Sequence, residues 1–258
     1  MWFDSHTHLS DECFDTVREN IIADFEKDNI AGILDLGTNF EDSEKAIKNA
    51  EAHKNVYAAV GIHPDFIGKL SGDWQDRLLK LAQSSKKVVA IGEIGLDYHY
   101  DVDPRDYQQA KMIEQAEVAT AAHLPICIHD RDAHGDVLRI IKENCREISG
   151  VLHCFSGSYE MAVEAVKQDF YISIGGPITF KNEKKLKEMA PKLPLDRLLV
   201  ETDSPCLAPV PVRGTMNVPA NVAYTGKVLA ECIGMEWERV AEITHNNAKR
   251  LFNLEQFD

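Results

Sequence analysis

The sequence predicts an α/β fold, a (β/α)8 TIM barrel formed by a single domain over residues 1–258. Short apolar runs rich in strand-forming residues alternate with longer amphipathic stretches, and no proline- or serine-rich linker divides the 258-residue chain. The rival fold, an open doubly wound sheet, usually has a glycine-rich turn after its first strand. The turn here reads Ser-His-Thr-His, from Ser5 to His8, so the barrel is favoured.

Eight runs are predicted to be strands. They are short, apolar and rich in residues that favour strands. The runs are Trp2–Ser5, Gly32–Leu36, Val56–Ile62, Val88–Ile94, Pro125–Ile128, Val151–Phe155, Phe170–Ile174 and Leu198–Glu201. Helix-like patterns between and after them include Asp106–Ala121, Glu160–Lys167, Asn221–Cys232 and Glu236–Leu251.

Composition indicates an ordinary globular protein, with 44% hydrophobic and 27% charged residues. No apolar stretch approaches the length of a membrane span, so no membrane association is expected. The six cysteines form no C-x-x-C pair or regular framework, which is typical of a reducing cytoplasm. A cytoplasmic location is therefore expected.

The charge balance excludes one class of function. Lys and Arg number 28 against 42 Asp and Glu, giving a net charge of −14. A broad basic face for coating nucleic acid needs clustered Lys and Arg, which this balance disfavours. A phosphate-bearing substrate would have to be held locally, by metal ions and a few arginines.

Two histidines, His6 and His8, close the first run. Residues i and i+2 of a strand point to the same face, so both imidazoles are expected to face one point, as metal ligands do. The pair alone is weak evidence, since many strand-end histidines bind no metal. Other runs supply matching residues, because they too end in His, Glu, Asp or Arg. The predicted metal ligands are His6, His8, Glu93, His129, His153 and Asp203.

These imidazoles and carboxylates suit Zn, Mn, Fe or similar divalent ions, and Mg where carboxylate and water dominate. They exceed one tetrahedral ligand set, so two divalent metal ions fit better than one structural zinc, and Glu93 is the natural bridge between them. Such a site leaves room for water, which favours a hydrolase over the alternative of a non-enzymatic metal-binding or adaptor protein.

With these residues assembled, the chain resembles the TatD family of metal-dependent deoxyribonucleases, within the amidohydrolase superfamily. The resemblance covers nearly the whole chain, and its motifs occur in the same order as in the family. They are Phe3-Asp4-Ser5-His6-Thr7-His8, Gly61-Ile62-His63-Pro64, Ile91-Gly92-Glu93-Ile94-Gly95-Leu96-Asp97-Tyr98, Ile128-His129-Asp130-Arg131-Asp132-Ala133, His153-Cys154-Phe155-Ser156-Gly157, Glu201-Thr202-Asp203-Ser204-Pro205, Arg213-Gly214-x-x-Asn217-x-Pro219 and Asn247-Ala248-x-Arg250-Leu251-Phe252.

The resemblance implies a barrel with two metal ions and hydrolysis of DNA phosphodiesters, often as a 3′→5′ exonuclease. Many relatives in the superfamily bridge their ions with a carboxylated lysine from strand four. Lys86 and Lys87 lie at the start of that strand, which agrees with a bridging glutamate instead. The implied ligand sets are His6, His8, Glu93 and Asp203 for one ion, and Glu93, His129 and His153 for the other.

The expected function is that of a divalent-metal-dependent deoxyribonuclease acting 3′→5′ on single-stranded or frayed DNA, through a hydroxide that bridges the metal ions. The catalytic residues would be Asp203, which takes the proton of the attacking water, and Glu93. Three further residues are expected to contact the substrate, His63 as a hydrogen-bond donor and Arg131 and Arg213 as phosphate clamps.

Several alternatives stay open. Arg131 either binds phosphate or pairs with Asp132 or Asp97. His99 either touches the substrate or faces solvent, and Glu201 either steadies a partner of the metal ligands or lies in the barrel core. The same chemistry would cleave another ester, such as a D-aminoacyl ester on tRNA or a small phosphoester. The expected partner is DNA, as single-stranded 3′ ends, and no obligate protein partner is indicated.

Overall fold

The computed structural model of the protein describes residues 1–70, 72–100 and 102–257. It contains an eight-stranded parallel sheet in which each strand pairs with the next along the chain. The predicted (β/α)8 TIM barrel is confirmed. The strands are β1 (Trp2–Thr7), β2 (Ile30–Leu36), β3 (Val56–Val60), β4 (Val88–Asp97), β5 (Ile126–Arg131), β6 (Gly150–Leu152), β7 (Phe170–Ile174) and β8 (Leu198–Val200).

Contacts between the first and last strands close the sheet. Thr7 and Ser204 form a parallel bridge just beyond β8, and the amide of Asp203 donates to the carbonyl of His6 at 2.9 Å. The Asp4 carboxylate adds a side-chain link, since its Oδ1 accepts from the amide of Thr202 at 2.9 Å. Closure brings the carboxyl-terminal ends of all strands, here called the mouth, around one point.

Nine α-helices lie in the described part of the chain. The sequence patterns located four of them to within one residue at each end, over Arg105–Ala122, Tyr159–Lys167, Val222–Ile233 and Trp237–Leu251. None of the helices in the described residues combines the length and the apolar character needed to cross a bilayer. The helices are α1 (Arg18–Ala23), α2 (Phe40–Ala52), α3 (Trp74–Ala82), α4 (Arg105–Ala122), α5 (His134–Asn144), α6 (Tyr159–Lys167), α7 (Lys185–Met189), α8 (Val222–Ile233) and α9 (Trp237–Leu251).

Successive strand residues mostly alternate between two apolar clusters, as the two-residue period of a strand requires. In β2, for example, Ile33 belongs to the larger cluster, which includes residues of the surrounding helices, and Leu34 to the smaller one. The exception is Val89 and Ala90, where β4 uses one more residue than β3. The smaller cluster joins the strands to the end of α9, where Leu251 and Phe252 are buried. Its strand residues are Phe3, Leu34, Leu36, Ala59, Val89, Ala90, Cys127, Val151, Tyr171 and Leu199.

Candidate metal centre

The structure brings together all six side chains predicted as metal ligands. They come from five strand ends, and the Glu93 carboxylate lies among the imidazoles of the other strands. Three groups of side chains in the described residues could each hold a metal ion, and two of the groups contain Glu93. The groups are His6, His8 and Asp203; His6, Glu93 and His153; and His63, Glu93 and His129.

A bulge in β1 directs its first histidine into the barrel. Between Asp4 and Thr7, β1 uses one more residue than its partner β2. Ser5 reaches Ser173 on β7 at 3.1 Å, and the next residue, His6, reaches Glu93 on β4, so both neighbours point inward. His8 lies just beyond the strand. The expected pairing of His6 with His8 therefore forms (their Nε2 atoms lie 3.3 Å apart), but by a bulge rather than by regular alternation.

A second irregularity places Glu93. Between Ile91 and Ile94, β4 uses one more residue than β5. Two glycines allow the close approach of these strands: a Cβ at Gly92 would meet the Cβ of Cys127 at 2.6 Å, and Gly95 has a φ of +146° and lies against the His129 carbonyl. Side chains at these positions would push the two strands apart.

The first ligand set consists of His6, His8, Glu93 and Asp203. Glu93 Oε2 lies 3.5 Å from the Nε2 of His6 and 3.3 Å from that of His8. Asp203 Oδ1 lies 3.8 and 3.6 Å from the same two nitrogens. Ligands that bind zinc tetrahedrally at about 2.1 Å lie about 3.4 Å from one another, so these separations fit a single ion.

The second set uses the other oxygen of the same carboxylate. Glu93 Oε1 lies 2.9 Å from His129 Nδ1 and 2.9 Å from His153 Nε2, and these nitrogens are 3.2 Å apart. Glu93 thus turns one oxygen to each set, which is the arrangement of a bridging ligand.

Hydrogen bonds at the far side of two imidazoles leave the facing nitrogens free for metal. His8 Nδ1 donates to the Leu36 carbonyl at 2.9 Å, so Nε2 is the nitrogen of this ring that faces the site. His129 Nε2 donates to Asp97 Oδ2 at 3.2 Å, so Nδ1 is the nitrogen that faces the site and would bind an ion in place of its proton. Such outer partners are characteristic of metal-binding histidines, so the residues fit a bound ion.

His63 has the opposite arrangement. Its Nδ1 accepts a hydrogen bond from the amide of Asp65 at 3.2 Å, so the proton of the neutral ring is on Nε2. Burial lowers the pKa of His63 to about 4, so the ring is neutral near neutral pH. Its Nε2 lies 3.9 Å from Glu93 Oε1. This geometry suits a hydrogen-bond donor to a substrate better than a metal ligand.

The electrostatics of the site favour ionised carboxylates. Burial opposes ionisation of Glu93, but the imidazoles of His153, His63 and His6 hold its pKa well below the usual range. Burial likewise opposes protonation of His129, but Asp97 and Glu93 raise its pKa to about 9. Carboxylates held close to imidazoles in this way attract either protons or a cation, and a metal ion competes with the protons.

Two outer carboxylates support the ligand sets. Asp97 was not among the predicted site residues. Its position at the end of β4, the strand that also contains Glu93, could have identified it. Its Oδ1 also accepts from the amide of His99 at 2.8 Å. Glu201 satisfies both alternatives, since it is fully buried in the barrel and its Oε1 lies 3.3 Å from His153 Nδ1.

The predicted substrate arginines lie at the rim of the mouth. Arg131 stacks on the Tyr100 ring, with its Cζ 4.7 Å from the ring centroid. Within the described residues it forms no ion pair with either acidic neighbour considered above. Arg213 stacks on Phe180 at 3.9 Å. His99 is half exposed and pairs with Asp132 at 3.1 Å.

The chain is similar to known proteins over nearly its whole length. The family model described as TatD related DNase matches residues 3–253. YabD, a metal-dependent hydrolase of Bacillus subtilis strain 168, is 44% identical over 98% of this chain and all of its own length. YcfH, a metal-dependent hydrolase of Escherichia coli K12, is 34% identical over 98% of this chain and 96% of its own.

Solved structures give the same result. The crystal structure of YjjV, a TatD homologue from Escherichia coli K12, superposes with a TM-score of 0.89 at 31% identity and covers 98% of each chain. The sequence matches and this superposition both extend over nearly the whole barrel. The chain therefore belongs to the TatD family and is a metal-dependent hydrolase.

Proposed function

We propose that this hydrolase is a deoxyribonuclease that removes nucleotides 3′→5′ from single-stranded or frayed DNA. The observation that carries the proposal is the division of Glu93 between two ligand sets, with Oε2 on one side and Oε1 on the other. Two divalent ions that share one carboxylate can stabilise both the attacking and the leaving oxygens of a phosphodiester, as in many nucleases.

The residues of the site have distinct roles in this reaction. Ions held by the two sets would supply a nucleophile at neutral pH and neutralise charge that develops on the phosphate. Burial opposes ionisation of Asp203, but its hydrogen bond to His8 and the imidazoles nearby lower its pKa. Asp203 is therefore a carboxylate that can take a proton from the attacking water. His63 Nε2–H would donate to a phosphate oxygen.

The rim supports a nucleic-acid substrate. Tyr100 is 62% exposed, and the guanidinium of Arg131 lies on its ring. Arg213 and Phe180 form a second pair of this kind after the last two strands. Aromatic rings stack with unpaired bases, and guanidinium groups contact phosphates. Two local pairs suffice for a chain end, so the proposal is compatible with the net charge of −14.

End-labelled DNA tests the proposal. The protein is incubated with Mg²⁺, Mn²⁺ or Zn²⁺ and with single strands labelled at the 5′ or the 3′ end. The 3′ label should be released first as a mononucleotide, and the 5′-labelled strand should shorten progressively. Asp203→Asn is the matched inactive control. The proposal is wrong if no DNA end yields nucleotides, and hydrolysis of a D-aminoacyl-tRNA or a small phosphoester in parallel assays would then establish the other ester activity.

A further inference from the structure

A buried polar layer lies directly beneath the metal centre. Four buried side-chain atoms in the described residues have no hydrogen-bond partner, and three of them are His6 Nδ1, His153 Nδ1 and Glu201 Oε2. These three side chains are buried inside the barrel, at the ends of β1, β6 and β8. Buried polar atoms without partners are rare, and three of them beside one another call for a common explanation.

The two imidazoles are stacked and have the same orientation toward Glu93. Their centroids lie 3.9 Å apart with an interplanar angle of 16°. The Nε2 of His6 lies 3.5 Å from Glu93 Oε2, and that of His153 lies 2.9 Å from Oε1. Each ring therefore serves a different ligand set through Nε2 and has Nδ1 left for another partner.

The Glu201 carboxylate lies against the nitrogen of His153 that does not face Glu93. Its Oε1 accepts from the amide of Cys154 at 2.5 Å and lies 3.3 Å from His153 Nδ1. The His6 ring is stacked on the His153 ring, which itself lies against Glu201. The Oε2 atom of Glu201 has no hydrogen-bond partner in the described residues.

We propose that Glu201 is a shared positioning residue, whose carboxylate accepts the Nδ1–H of both His6 and His153 when their Nε2 atoms bind metal. An imidazole that binds metal through Nε2 keeps its proton on Nδ1, and a buried N–H needs an acceptor. The inference rests on the proposed two-ion site. It adds that one outer carboxylate orients a ligand of each ion.

The other two ligand histidines each have an outer hydrogen-bond partner of their own, so a shared outer carboxylate would be particular to His6 and His153. His8 donates to the Leu36 carbonyl and His129 to Asp97. Glu201 lies against His153 of one set, and the His153 ring is stacked on His6 of the other. An ion in one set would fix the carboxylate and so orient the histidine of the other set. Binding of the two ions is therefore expected to be cooperative.

Calorimetric titration of the chelator-treated protein with Zn²⁺ tests this sharing. Glu201→Gln should weaken the binding of both ions about 10- to 100-fold. The single amide oxygen of Gln would have to accept from the Cys154 amide and from the Nδ1–H groups of His6 and His153. Asp97→Asn should weaken mainly the binding of the ion held by His129, and that of the other ion only through the coupling between them. Ser173→Ala is the matched control, since Ser173 lies in the same interior layer but bonds to Ser5, and it should change neither affinity.

The outcomes separate this inference from the proposed function. If the wild type binds fewer than two ions, both are wrong. If the wild type binds two ions and Glu201→Gln binds both with unchanged affinity, only the sharing is wrong. Should that variant not fold, nitrogen-15 spectra of the Zn²⁺-loaded wild type decide. They should show hydrogen-bonded Nδ1–H signals for both His6 and His153, and a missing signal for either one overturns the sharing.

Discussion

The interior of the barrel contains different kinds of side chain at its two ends. At the amino-terminal end, the interior is filled by apolar side chains from the strands and from the end of α9, including Phe3, Leu251 and Phe252. At the mouth, the interior holds ionisable groups such as Glu93 and Glu201, which are buried. Apolar burial stabilises the first end, whereas buried charges cost free energy unless they are compensated.

Backbone conformation differs in the same way. Four non-glycine residues with positive φ lie in turns at the amino-terminal end, and they are Asn29, His123, Asp169 and Asn253. Residues of these types adopt positive φ comparatively easily. At the mouth, Cys154 and Leu207 also have positive φ, of 41° and 52°. Side chains of this kind rarely adopt such angles, so the strain in the barrel lies beside the metal centre. The amino-terminal end stabilises the fold and the mouth carries the chemistry.

The largest expected effect is a loss of activity, without a loss of stability, on substitution of a residue at the mouth. Asp203→Asn should lower kcat for DNA hydrolysis about 10²- to 10⁴-fold, because it removes the group proposed to take the proton. The melting temperature of the metal-free protein should change little. Steady-state kinetics and thermal unfolding measure the two quantities. Unchanged kcat would show that Asp203 is not the base.

A substitution at the amino-terminal end should have the opposite effect, with a loss of stability and no loss of metal binding. Phe252 is 1% exposed, and Phe252→Ala should lower the free energy of unfolding by about 3–5 kcal/mol through loss of apolar burial and formation of a cavity. Folded protein should retain its full metal content. Phe257→Ala is the control, since Phe257 is only partly buried and a smaller loss is expected. Urea unfolding with metal analysis distinguishes the two, and equal losses would contradict the comparison.

Metal binding should raise the free energy of unfolding, because a cation compensates the buried carboxylates at the mouth. At a free Zn²⁺ concentration about 100 times the dissociation constant, binding to the folded state should add about 2.7 kcal/mol per site to the free energy of unfolding. Thermal unfolding with Zn²⁺ and with chelator measures the gain. Asp97→Asn should reduce it, because His129 then loses its outer carboxylate. Equal melting temperatures with and without metal would contradict the assignment.

A smaller effect is expected at the rim. Tyr100→Ala should weaken binding of single-stranded DNA by about 1–3 kcal/mol, the usual contribution of one aromatic ring stacked on a base. Turnover of a small phosphoester should not change, because the ligand sets stay intact. Tyr224→Ala on α8 is the control for an exposed tyrosine. An equal effect of both variants in filter binding would argue against a base-stacking role of Tyr100.

The smallest effect concerns the pair of His134 and Asp130, whose Nδ1 and Oδ2 lie 2.8 Å apart. The hydrogen bond to Asp130 raises the pKa of His134. Stabilisation by a raised folded-state pKa is complete below the unfolded value of about 6.5 and is lost as the pH rises through the folded value. His134→Gln should therefore cost about 0.2–1 kcal/mol at pH 5.5 and less at pH 8.5, since the pair is partly exposed. Urea unfolding at both pH values measures the difference, and an equal cost at both would refute it.

Local sequence patterns were sufficient for the barrel and for the members of the site. Each strand is a short apolar run, and polar residues such as His6 and Glu93 stand where the run ends. In a parallel barrel all these ends meet at one face, so the grouping of the ligands follows from the strand assignments. The six predicted ligand side chains do come together.

The arrangement within the site depended on tertiary structure. The bulges of β1 and β4 decide which side chains point inward, and the sequence does not mark the first of them. The hydrogen bond of His8 to Leu36 selects its ligating nitrogen, and the amide of Asp65 selects the tautomer of His63.

The fold class and the chemical types gathered at the mouth follow from the sequence, because strand periodicity and strand ends are local properties of the chain. Which oxygen faces which nitrogen depends instead on the folded barrel. The tertiary structure also places Asp97 against His129, and Glu201 against His153, whose ring is stacked on His6. These contacts join residues far apart in the chain, and their geometry depends on how the closed barrel sets one strand end against another.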